Sequence, residues 1–146
     1  MRREKAMALF EEEYNCAQSV FLAFVDLHGL DTETTAALSS SFGGGIGRLR
    51  EVCGAVSGMF LAAGLLCSYD DSGAKEEKVV NYACIQELAA AFERENGSIV
   101  CRDLLGLSVK KKESTPEERT AEYYEKRPCR ELVGQAVERN HGAISL

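Results

Sequence analysis

From Val52 to Tyr69 the chain carries no charged residue. The stretch is mostly small and apolar, with glycines at 54, 58 and 64. A helix built from it is apolar on all sides, so none of its faces suits water. It is short for a bilayer crossing, which takes about 20 predominantly apolar residues. Other helices therefore have to wrap it. The sequence predicts a central bundle helix that begins near Arg50 to Cys53 and runs to about Cys67.

The other segments can do the wrapping. Two prolines, few β-branched runs and frequent Ala, Leu and Glu favour helix. Met7, Phe10, Tyr14, Ala17, Phe21, Phe24 and His28 recur at three- and four-residue steps, which predicts one amphipathic helix from about residue 3 to 28. Gly29 suits its end. Asp31 or Thr32 can cap a short second helix through Ser41. A fourth helix is expected from about Ala74 to Glu95, with Val79, Tyr82, Ala83, Leu88 and Phe92 on its apolar side. Asn96-Gly97 stops it. Ser98 can cap a short helix holding Cys101 to Leu105. Residues 107–127 are polar and read as a surface loop, with a helical turn around Glu117 to Tyr124. Pro128 suits the start of a last helix, whose buried face is Leu132, Val133, Ala136 and Val137. Neither a repeat nor a dividing linker is visible. The expectation is an all-α fold: one domain over residues 1–146, a bundle of about five helices around the apolar one.

Charge excludes some functions. The net charge is −6, and the 17 basic residues are scattered. The only basic run, Lys110-Lys111-Lys112, meets Glu113 at once, so no nucleic-acid footprint is expected. Acidic residues interrupt the N-terminal segment before an apolar signal-peptide core forms. A cytoplasmic protein without a membrane span is expected.

Six cysteines, at 16, 53, 67, 84, 101 and 129, are many for such a chain. No Cys-x-x-Cys pair occurs, which argues against thioredoxin-type and zinc-ribbon motifs. In a reducing compartment, clustered cysteines point to catalysis or metal before structural disulfides. Free cysteine also serves as a small buried hydrophobe. Cys53, Cys101 and Cys129 fall in the first turns of predicted helices. Unpaired N–H groups and the helix dipole there favour a thiolate. Cys16 is the exception, in the middle of the long first helix. Cys53 has the strongest local case, because Arg48 and Arg50 add positive charge nearby.

Before Cys53 lies Phe42-Gly43-Gly44-Gly45-Ile46-Gly47-Arg48. Its glycines demand a tightly turned backbone that can aim several N–H groups at one point. Gly43, Gly44, Gly45 and Gly47, with Gly54 and Gly58 beyond, are therefore weak candidates for holding a cofactor. The competing explanation is that Gly54 and Gly58, four apart, only admit a neighbouring helix. The loop is neither a Rossmann fingerprint nor a Walker A loop.

Taken together, Cys16, the hexapeptide Cys53-Gly54-Ala55-Val56-Ser57-Gly58, Cys101 and Cys129 resemble the C_GCAxxG_C_C family over nearly the whole chain. The resemblance implies a redox-active protein whose four cysteines are those four. Cys67 and Cys84 lie outside the pattern and are expected in the core. The resemblance names neither substrate nor reaction.

Weaker candidates surround these. His28 suits a helix end by its basic ring, and His141 is expected to be exposed. Glu11-Glu12-Glu13 reads as a solvated face. Tyr123-Tyr124 can cover a site or simply pack a loop. Arg102 and Arg130 each follow a candidate cysteine directly. Two histidines leave no basis for a Ser/His/Asp set.

Three functions remain open. The first is thiol–disulfide chemistry at Cys53, with another of the four cysteines resolving it and an unidentified redox partner. The second is a metal or iron–sulfur cluster held by Cys16, Cys53, Cys101 and Cys129. The third is a non-catalytic helical protein with buried cysteines, dimeric through its central helices.

Overall fold

The computed structural model describes residues 1–68, 71–106 and 116–143, without the side chains of 66, 125, 126 and 141–143. The Lys110–Lys112 run and the His141 side chain lie outside this description. Among the described residues the fold is all-α, with one isolated β-bridge and no strand.

The long first helix is in fact three pieces: α1 (Arg2–Glu11), α2 (Cys16–Leu22) and α3 (Val25–His28). The break follows α1, where Glu13 takes a left-handed φ of 74°. Asn15 then starts α2 with a capping box. Its side chain accepts from the Gln18 N–H at 2.9 Å, and Gln18 Oε1 accepts from the Asn15 N–H at 3.0 Å. Gly29 ends α3 at φ 77°, as expected. Asp31 caps α4 (Thr32–Ser39) by accepting from the Thr34 N–H.

A 3₁₀ turn over Ser40–Phe42 leads into α5 (Gly43–Ile46), one turn whose Gly44 and Gly45 are left-handed. The predicted apolar helix is α6 (Gly54–Leu66), followed by α7 (Lys75–Asn96). Three short or late elements complete the order: α8 (Cys101–Leu104), α9 (Ala121–Lys126) and α10 (Cys129–Ala143).

The core lies where α2, α6 and α10 meet, with α1 against α10 and α7 against α6 and α10. Val20, Phe21, Val56, Met59, Phe92, Val133 and Val137 are fully buried there. Asn140 joins two of these helices by donating to the Met59 carbonyl at 2.9 Å. The expected apolar side of α7 is only half covered. Leu88 and Phe92 are buried, but Val79, Tyr82 and Ala83 are exposed. A periodic apolar stripe marks what could be buried, while a neighbouring element decides what is. Likewise α6 is central, yet Leu65 near its end is exposed.

Candidate functional site

The break after α1 changes the reading of the cysteines. Cys16 is the first residue of α2, not the middle of a long helix. Cys53 is the N-cap of α6, and Cys101 and Cys129 begin α8 and α10. All four cysteines of the pattern therefore stand at helix starts.

The backbone brings these starts together. Val52 and Val100 form an antiparallel bridge. The Cys53 N–H donates to the Ile99 carbonyl at 2.7 Å, and the Cys101 N–H to the Glu51 carbonyl at 2.6 Å. Cys53 and Cys101 each follow a bridged valine, so they share one face of this pairing as diagonal neighbours. The glycine turn packs behind them. A Cβ on Gly45 would sit 2.6 Å from Cys101 Cβ and 2.8 Å from Arg50 Cα. Only glycine fits there, and its φ of 71° also favours glycine. From the other side α2 presses on α6 so closely that a Cβ on Gly54 would fall onto Cys16 Sγ.

The result is one cavity of about 300 Å³, lined by all four cysteines. Gly43, Gly44, Gly47 and Gly54 also line it, as do Arg48, Arg50, Arg119, Arg127, Asn15 and Tyr123. Gly58 meets the Ala17 carbonyl and Val20 of α2, so it serves helix packing. Gly45 supports Cys101 and Arg50 from behind. Cys67 and Cys84 lie elsewhere, at the end of α6 and within α7, and both are half-buried rather than in the core. All six cysteines are free.

Burial opposes the helix-start effect expected from sequence. Cys53 and Cys101 are buried, while Cys16 and Cys129 keep some residue surface. Protein nonetheless surrounds the sulfurs of Cys16 and Cys129, and those surroundings govern ionisation. Burial pushes the Cys53 thiol well up, and the neighbouring Cys16 pushes it further; the amides of Val56 and Ala55 act in the opposite direction. Burial raises Cys16 as well, against the Gly44 amide. Cys129 is pushed up to about 12, by burial first and then by Cys16 and Cys101, although Arg127 and Arg50 pull it down. Desolvation thus outweighs the helix ends at these three thiols.

The weaker candidates separate cleanly. Tyr123 lines the cavity, whereas Tyr124 packs edge-on against Phe10. His28 accepts from the Leu30 N–H and stacks on Phe21, a structural role. Arg130 pairs with Glu11, and neither Arg102 nor Arg130 lines the cavity. Sequence reasoning missed Arg119, which donates to the carbonyls of Phe10 and Tyr14 and covers the Phe10 ring at 4.3 Å. It also missed Arg127, paired with Glu117. No local motif marks either arginine. Asn15, by contrast, was findable from its capping box with Gln18.

Among the described residues, no group of three or more His, Cys, Asp or Glu side chains is arranged to hold a metal ion. The metal or iron–sulfur reading therefore has no preformed ligand set here. Nor is any helix among the described residues long and apolar enough to cross a membrane.

Fold and cavity together define an all-α protein whose four pattern cysteines line one cavity. The chain belongs to the C_GCAxxG_C_C family, whose model matches residues 14–141 and carries the description "Putative redox-active protein". No curated protein and no solved structure matches it.

Proposed function

We propose that this redox-active chain works by thiol–disulfide exchange inside the cavity, in a reducing compartment such as the cytoplasm, with Cys53 and Cys16 as the exchanging pair. The observation that carries this reading is the convergence of four helix-start cysteines on one cavity. Cys16 is favoured as the resolving residue because its sulfur packs against Gly54, the residue next to Cys53. Cys101 and Cys129 complete the site and can serve as alternative partners.

Burial raises both thiols, so the thiolate forms only for the attacking step, between end states that carry no charge. A buried thiolate is costly, but a thiol pair and a disulfide are both uncharged. In the exchange, Cys53 gives up its proton and attacks one sulfur of a substrate disulfide. One substrate thiol leaves and takes a proton. Cys16 then loses its proton and attacks Cys53 in the mixed disulfide, releasing the second substrate thiol. The protein loses two hydrogens, and the substrate gains them.

Mass spectrometry of the whole protein, prepared without air and then mildly oxidised, tests this. The expected result is a loss of two hydrogens, with the bridge mapped between Cys16 and Cys53 and absent in Cys53→Ser. If no bridge joins any two of Cys16, Cys53, Cys101 and Cys129 under those conditions, the reading is wrong.

A further inference from the structure

Arg50 is only 4% exposed, yet no carboxylate among the described residues lies within ion-pair reach of it. Its Nε has no hydrogen-bond partner, and its Nη1 reaches only the Cys101 sulfur, at 3.6 Å. A guanidinium carries its charge at any ordinary pH, so burying one without an anion is costly. This one lines the cavity. Of the three other arginines that line it, Arg119 is engaged by backbone carbonyls and Arg127 by Glu117, and Arg48 is not without a partner. Among the described residues, Arg50 is thus a buried donor on the cavity wall whose hydrogen-bond contact is a sulfur and not an oxygen.

The cavity's sign agrees. In a chain of net charge −6, four arginines line this space against a single acidic residue, Glu117. Walls of one sign around a low-dielectric space concentrate ligands of the opposite sign. A volume of about 300 Å³ corresponds to roughly ten waters at ~30 Å³ each, enough for a small organic anion. It lies at the lower end of ligand pockets.

We infer that the cavity is a binding site for a small oxyanion, with the Arg50 guanidinium as its anchor beside the four thiols. This rests on the thiol–disulfide reading only for the ligand's purpose. On that reading the oxyanion is the carboxylate of a small disulfide, held so that its sulfurs face Cys53. The same donor would also take an inorganic oxyanion, and the two sources can be told apart.

The experiment is calorimetric titration of the intact, reduced protein with three probes. Suberate is the unreactive carbon analogue of a dicarboxylate disulfide, sulfate is an inorganic oxyanion, and 1,6-hexanediol is a neutral match for suberate. Suberate should bind one to one, with sulfate weaker and the diol not detectable. Arg50→Gln should weaken suberate by roughly tenfold or more, as loss of a charge-assisted pair implies. Sulfate binding tighter than suberate, and lost in the same variant, keeps the oxyanion site and assigns it to an inorganic ion.

Should Arg50→Gln not fold, the wild-type protein still decides. Suberate should slow alkylation of Cys53 and Cys101, and the diol should not. Failure of both anions to bind at millimolar concentration, or binding unchanged by Arg50→Gln, overturns the inference. None of these readouts needs a disulfide to form, so they stand or fall separately from the bridge-mapping test.

Discussion

The two ends of α6 each carry a cysteine, and they differ in nearly everything else. At the N-terminal end Cys53 is buried among Cys16, Cys101 and Cys129, and a Cβ at Gly54 would strike Cys16 Sγ. At the C-terminal end Cys67 is half-buried, Leu65 is exposed, and a Cβ at Gly64 would meet nothing within 4 Å. The same helix and the same residue type thus yield a crowded site at one end and an open surface at the other. Crowding comes from other chain segments. The bridge of Val52 with Val100, the glycine turn and the start of α2 all converge on the first end, whereas at the second the Asn81 side chain of α7 donates to the Cys67 carbonyl.

The glycines give the sharpest way to break this comparison. Gly54→Ala should destabilise the protein by about 2–3 kcal/mol, because the new methyl meets Cys16 Sγ and lies 2.9 Å from the Phe42 carbonyl oxygen. Urea unfolding measures it. A variant as stable as the wild type would mean that α2 does not press on α6 as described.

An intermediate effect is expected from pH. Burial raises the Cys129 thiol to about 12 from an ordinary value of 9.0. Above pH 9 the unfolded chain therefore loses this proton before the folded one does. Stability from this group is complete below about pH 9 and is lost as pH rises towards 12. Cys53 and Cys16 shift in the same direction and add to the fall. The urea midpoint of the reduced protein should drop across this window, and Cys129→Ser should flatten the drop. An unchanged slope in that variant would place Cys129 in water rather than in the cavity.

The smallest effect belongs to the open end of α6. Gly64→Ala should raise stability by about 0.5–1 kcal/mol, the helix-propensity gain of alanine over glycine where space is free. A loss instead would show that the far end is as tightly packed as the near one.

Several parts of this structure were legible in the order of residues. The apolar run predicted α6 to within a few residues, and Asp31 and Gly97 marked ends of α4 and α7. Three of the four helix-start cysteines were legible too, since caps and proline are local signals. The start of α2 was not read, although Asn15 and Gln18 spelled it out. The apolar period runs unbroken from Phe10 through Tyr14 to Ala17 and Phe21, so the core face hid the break. Periodicity reports which side is buried, and a helix that stops and restarts in phase keeps that side.

By itself, then, the sequence determined an all-α chain, its apolar central helix and cysteines placed to begin helices. These follow from residue type and from neighbours a few positions away. Only the tertiary structure decided that four helix starts share one cavity, that Arg50 is buried there with no carboxylate of the described residues in ion-pair reach, and that the first half of α7 stays exposed. Each depends on segments tens of residues apart. The protonation of the thiols is the clearest case. A helix start favours the thiolate wherever it occurs, but desolvation depends on what packs around the sulfur, and here it outweighs the local effect.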